Sequence, residues 1–221
     1  MKLNFYLKGI YLFIITICSF SNSFAQVTIV AYGSAWKYLD LDNRPATWEI
    51  SGFNDASWAS GNGELGYGDG DETTTVSHGG CSPIASCGPK YITTYFRKTI
   101  TIANPALFTN FTLNVKRDDG VVVYINGTER YSNNMPAGRL HSTLASGAAA
   151  DDGATPQTTT LSTAFFTAGT NVIAVEIHQS STTSSDITFD LQLLGNDAFS
   201  PGLSRGPYLQ MGASGSCPRA R

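Results

Sequence analysis

The sequence predicts an all-β fold, a sandwich of about eight or nine strands, on three observations. Phe111, Leu113 and Val115 alternate with Thr112, Asn114 and Lys116, the period-2 pattern of a strand with one buried face. The run from Val121 to Ile125 is unbroken β-branched and aromatic, as in a strand covered on both sides. No stretch shows a helical period, and a chain rich in Thr, Ser and Gly with 14% charged residues suits an extracellular sandwich better than a helical protein.

Two reversals flank that central run. Asp118-Asp119-Gly120 is expected to be a hairpin turn, its carboxylates accepting backbone N–H groups and Gly120 taking positive φ. Asn126-Gly127 is the strongest short signal for a tight primed turn between antiparallel strands.

The other elements follow in chain order. Lys2 and Lys8, the apolar run Ile10 to Phe20 and the small residues Ser23 and Ala25 predict a secretory signal peptide over residues 1–25, cut before Gln26. The apolar run is short for a membrane span, and no second one follows. The chain is thus expected to be secreted, periplasmic or at the cell surface. The leader holds two lysines and no acid, so its loss takes the formal charge of −3 two units lower; nothing basic is clustered, which argues against a nucleic-acid partner.

Strands are expected from Val27 to Tyr32 and from Trp36 to Leu39. Trp36, Trp48 and Trp58 could stack on sugar rings, but beside strand signals they read better as packing residues. From Gly61 to Pro89 the strand pattern stops, leaving a long glycine-rich loop. Cys81 and Cys87 lie within it, and in an oxidising compartment they are expected to form a small disulfide; two thiols alone do not complete four-coordinate zinc. Further strands are expected at Thr93 to Ile102, Thr159 to Phe166, Asn171 to His178 and Asp186 to Leu194. In these, Phe96, Ile100, Ile102, Ile173, Val175, Ile177, Ile187, Phe189, Leu191 and Leu193 face inward. Asp151-Asp152-Gly153 lacks hydrophobic flanks and reads as loop.

Several segments carry a family resemblance. Asp118-Asp119-Gly120 with the following Val-Tyr-Ile-Asn-Gly, Gly52 to Trp58 (GFNDASW), Tyr95-Phe96-Arg97-Lys98, and Asn171 to Gln179 with Ser184-Ser185-Asp186 resemble the jelly-roll, galactose-binding-like accessory modules of secreted bacterial enzymes. The resemblance spans roughly Trp36 to Gly195 and implies a galactose-binding-like sandwich over residues 26–196, non-catalytic and binding a glycan or another surface polymer, or else a spacer without a ligand. After Asn196 the composition turns to linker, and Arg205-Gly-Pro-Tyr-Leu-Gln210 is similar to the opening of the fibronectin type III-like domain in secreted purple acid phosphatase-like metallophosphoesterases. This implies that residues 197–221 are a linker and a truncated domain start, and that the missing partner is a C-terminal catalytic domain.

Catalytic motifs are lacking in the chain itself. A binuclear phosphoesterase needs several His, Asp and Asn ligands, whereas the sequence has three His, no D-x-H and no G-N-H; Gly68-Asp69-Gly70 matches only a fragment. No G-x-S-x-G elbow is present. Asp69, Asp118, Asp119 and Glu176 could converge as a carboxylate pair for glycoside hydrolysis, but adjacent acids in a turn are more often caps or calcium ligands. Asp118 and Asp119 resemble the paired-Asp calcium dyad of protective-antigen-like lectin domains. Asp69 and Asp71 are further candidate calcium ligands, and Asn126 joins Asp118 and Asp119 as a candidate ligand contact. The plain alternative is that both acids only satisfy backbone N–H groups.

Overall fold

The computed structural model describes residues 26–79 and 89–198. The expected leader, Cys81 with Cys87, and the segment resembling a fibronectin type III-like start fall outside these residues. No helix among the described residues is long and apolar enough to cross a membrane.

The fold is a sandwich of two six-stranded sheets. The first sheet contains β1 (Gln26–Val30), β4 (Leu65–Tyr67), β5 (Thr74–Thr75), β7 (Phe108–Asp118), β10 (Gln157–Leu161) and β12 (Ile187–Asp197). Its order is β10-β7-β12-β4-β5, with β1 also paired to β12. The second contains β2 (Ala35–Leu39), β3 (Ala59–Asn62), β6 (Thr93–Ile102), β8 (Gly120–Ile125), β9 (Thr128–Asn133) and β11 (Gly169–His178), in the order β3-β2-β6-β11-β8-β9.

The alternating residues pack as the sequence pattern requires. Phe111, Leu113 and Val115 on β7, and Ile187, Phe189, Leu191 and Leu193 on β12, meet Phe96, Val121, Val123, Ile173, Val175 and Ile177 from the opposite sheet in one core. Phe96 stacks on Phe189 at 4.2 Å between ring centroids, and Trp36 meets the same ring edge-on at 5.0 Å, which joins the sheets through one aromatic cluster. Trp36, Trp48 and Trp58 are all buried, the packing role rather than the stacking one.

Three details differ from the sequence reading. Among the described residues twelve strands form rather than eight or nine, because β3, β4 and β5, in and just before the glycine-rich loop, are too short to show a period. The strand expected at Thr159 to Phe166 is β10 alone; Ser162 then caps a 3-10 turn over Thr163–Phe165. Asp118-Asp119-Gly120 is not a hairpin turn. β7 pairs with β10 and β12, and β8 with β11 and β9, so these residues carry the chain from one sheet to the other. Gly120 does not take positive φ; a Cβ there would stand 2.4 Å from Met135 Sδ and 2.8 Å from Ala145, so glycine is required by close approach. Asn126 and Gly127, both at positive φ, do make the tight turn between β8 and β9.

The outer face of the second sheet has its own small core. Trp48 and Trp58, from the segment between β2 and β3, pack on Tyr95, Val172 and Ala174. Arg97 on β6 holds this segment down. It is 2% exposed, its Nε donates to Asp55 Oδ2 at 2.9 Å, its Nη1 donates to the carbonyls of Trp48 and Ile50, and it lies 5.1 Å from the Phe53 ring centroid. Burial of a guanidinium is tolerable because it is both paired and hydrogen-bonded. The segments Gly52 to Trp58 and Tyr95 to Lys98 thus meet in space. Asp55→Asn is expected to lower the unfolding free energy by about 1–3 kcal/mol. In urea this appears as a lower midpoint at unchanged slope.

Candidate functional site

The crossing between the sheets is built from acids. β7, β12 and β4 are neighbours in the first sheet, with Asp118 paired to Thr188 and Tyr67 paired to Ile187. The end of β7 (Asp118), the residue before β12 (Asp186) and the residues just after β4 (Asp69) therefore reach the same end of the sandwich. The loop holding Asp152 closes over them. Gly68, at φ +115°, lets the Asp69 loop approach Asp186 so closely that a Cβ would lie 2.6 Å from its Cβ, and Gly153 does the same against Thr188.

Carboxylate oxygens of Asp69, Asp152 and Asp186 lie within 4.8 Å of one another. Calcium takes oxygen ligands at about 2.3–2.6 Å, so such oxygens can share one ion. Asp118 adjoins this group through Asp186. Its carboxyl is 2% exposed and contacts the carboxyls of Asp119 and Asp186, and no N–H donor meets it among the described residues. Burial, sharing a proton with Asp119 and repulsion from Asp119 and Asp186 push Asp118 up to about 9.

Asp119 behaves oppositely. Its Oδ1 accepts from Ala149 N–H at 2.8 Å and its Oδ2 from Ser180 N–H at 2.6 Å; its carbonyl accepts from Arg117 Nη1 at 2.6 Å and Asn134 Nδ2 at 3.0 Å. Burial opposes its ionisation, yet the bonds from Asp118, Ser180 and Ala149 hold it below the usual carboxylate range. Asp119 is therefore a cap, though for remote loops rather than for its own turn. Asp69 is pushed up to about 6 by partial desolvation, with the Thr188 hydroxyl opposing and Asp186, Asp152 and Glu72 repelling. Burial also raises Tyr67, with Asp186, Asp118 and Asp119 adding to it. A cation close to Asp186 is Lys90, whose Nζ donates to the carbonyls of Ser184 and Ser185.

The remaining candidates fall elsewhere. Asp71 groups with Asp69 and Glu72, but Glu72 already accepts from the N–H groups of Asp69 and Gly70 at 2.9 and 3.0 Å. Asp69, Asp71, Asp151 and Asp152 line an open cavity of about 300 Å³, with Lys116 and Glu64 paired at 2.9 Å on its wall. Asn126 is at the far end of β8 from Asp119, where its side chain joins Val172 N–H, the Phe165 carbonyl and Asn171. Glu176 does not meet the other acids; it lies on the outer face of the second sheet with His178, Tyr124 and Arg44.

No protein-family model matches the sequence, and no curated protein matches it. The solved structures it resembles include β-glucuronidase 2 of Bacteroides uniformis, at 15% identity and a TM-score of 0.48, over 78% of this chain and 18% of that one. They also include a β-glycosidase from Bacteroides vulgatus (16%, TM-score 0.44, 78% and 20%) and a Bifidobacterium dentium β-glucuronidase (13%, TM-score 0.43, 72% and 21%). The likeness is one of fold. The chain spans about a fifth of the length of those enzymes.

Asp152 and Asp186 were not among the residues singled out as metal ligands from sequence. Asp151-Asp152-Gly153 repeats the acidic-turn composition of residues 118–120, a signal that could have flagged the first; only strand register places Asp186. Asp118, ionised in the unfolded chain and protonated in the metal-free fold, should make stability fall as pH rises from about 4 to about 9, with Asp69 adding to the fall up to about 6. In Asp118→Asn, the melting temperature of the metal-free protein should decline less over that range than in the parent; an equal decline would assign the effect to other groups.

Proposed function

We propose that this chain is an exported, non-catalytic binding module whose acidic corner takes one calcium ion, through which it holds hydroxyl groups of a glycan or another surface polymer. The observation that carries this reading is Asp118, a buried residue whose carboxyl meets the carboxyls of Asp119 and Asp186 and no N–H donor among the described residues, beside a group with oxygens within 4.8 Å of one another. Asp69, Asp152, Asp186 and Asp118 are the ligands proposed, and Asp119 fixes the backbone that presents Asp118. Asp69 and Asp152 also line the open cavity, so ligand hydroxyls can complete the coordination that carboxylates on one side leave open.

The module is further proposed to be accessory to a secreted metallophosphoesterase, on the support of Arg205 to Gln210 alone. As a spacer without a ligand it would keep Asp118 neutral and need no ion.

Calorimetric scans with calcium and with EDTA separate these. Calcium at about a hundredfold above its dissociation constant should raise the melting temperature by about 5–10 °C, and Asp118→Asn and Asp186→Asn should each remove most of that rise. Variants and parent that are alike insensitive to calcium would leave the spacer as the account.

A further inference from the structure

We infer that a second pocket, on the outer face of the second sheet and remote in its contacts from the acidic corner, binds one neutral sugar residue without a metal. The cavity is about 300 Å³ and is lined by Arg44, Tyr124, Arg139, Leu140, His141 and Glu176. That volume is at the lower end of small-molecule sites, about 300–1,000 Å³.

Strand register builds its floor. Glu176 on β11 is opposite Tyr95 on β6, and Tyr124 on β8 is opposite the neighbouring Ala174. Ile173, Val175 and Ile177 turn into the core, so Glu176 and His178 must face out, where the loops holding Arg44 and His141 cover them. Glu176 is only 4% exposed; its Oε2 lies 3.1 Å from His178 Nε2 and accepts from the Tyr124 hydroxyl at 3.5 Å. His141 is set by its Nδ1, 2.6 Å from the Tyr95 hydroxyl, and by stacking on the Tyr95 ring at 5.9 Å. These groups are held before any ligand arrives, which reduces the ordering cost of binding.

Two polar atoms are left over. Glu176 Oε1 has Arg44 Nε at 3.6 Å, beyond a good hydrogen bond, and the buried Nε–H of Arg139 meets no acceptor among the described residues. Charge decides the ligand class. Arg44 stands beside Glu49 and Glu176, Arg139 beside Glu129, and His141 Nε2 3.3 Å from Asp42, so no cation is in excess for an anionic ligand. Interleaved donors and acceptors instead suit neighbouring hydroxyls, each of which donates and accepts. The Tyr124 ring and the 71% exposed Leu140 supply apolar surface for the C–H face of a pyranose.

The inference shares with the reading above only the ligand class, and the test is run in EDTA so that the acidic corner cannot answer for it. The probes are methyl glycosides of glucose, galactose, mannose and N-acetylglucosamine, with methyl glucuronide as the anionic control, at about 20 mM in saturation-transfer NMR. At least one neutral glycoside should be saturated, and Arg139→Gln and Leu140→Ser, both at the rim, should each weaken its binding at least about tenfold. Silence from every neutral glycoside, preference for the glucuronide, or binding unchanged in both variants would overturn the assignment, whether or not calcium stabilises the protein.

Discussion

The fold depends on the single carboxylate of Asp119. The chain leaves one sheet at Asp118 and enters the other at Gly120, and at that crossing two loops, 134–156 and 179–186, bring the backbone N–H groups of Ala149 and Ser180 to the Asp119 carboxylate. Both bonds are part-buried, and a charge-assisted acceptor at this point ties both loops to the crossing. Once Asp119 is committed to the charged form, its neighbour cannot ionise cheaply. Asp118 is driven to keep its proton, and the acids that register brings beside it, Asp186 and then Asp69 and Asp152, sharpen that demand. A divalent cation would resolve it. The calcium site is thus proposed as the consequence of a folding constraint rather than as an addition to the fold.

The second organising pair, Arg97 with Asp55, acts on the opposite side. By fastening the segment between β2 and β3 over the second sheet, it covers Tyr95, Val172 and Ala174 and leaves Glu176 at the bottom of a walled pocket rather than on an open surface. A strand residue with two covered neighbours and one open side is a common way for a rigid sheet to present a polar group. The two candidate sites are therefore built on different elements, and only the loop 134–156 contributes to both, through Asp152 and through Arg139 and His141.

Much of the sandwich was legible in the sequence because alternation survives wherever one face is buried. Phe111 to Val115, Ile173 to Ile177 and Ile187 to Leu193 declared both their strands and their inward faces, and Asn126-Gly127 declared its turn. The crossing at Asp118-Asp119-Gly120 was misread because an acidic pair before glycine is equally good chemistry for a hairpin and for a corner; which one forms is decided by the partners of β7 and β8, a long-range matter. β3, β4 and β5 escaped because strands of this length are too short to show a period. The proposed site was visible in the sequence only as scattered acids. Asp118, Asp119 and Asp69 stood out as acids in turns, but Asp186, Asp152 and the grouping of Glu176 with Arg44 and His141 arise from residues far apart in the chain, which only strand register and loop return bring together.

Whether Asp118 holds a proton which a calcium ion displaces can be read from calorimetric titration of calcium in buffers of different ionisation enthalpy. One ion should bind per chain with release of about one proton near neutral pH, since a ligating carboxyl must ionise. Calcium binding with no proton released, or no binding heat in any buffer, would contradict it.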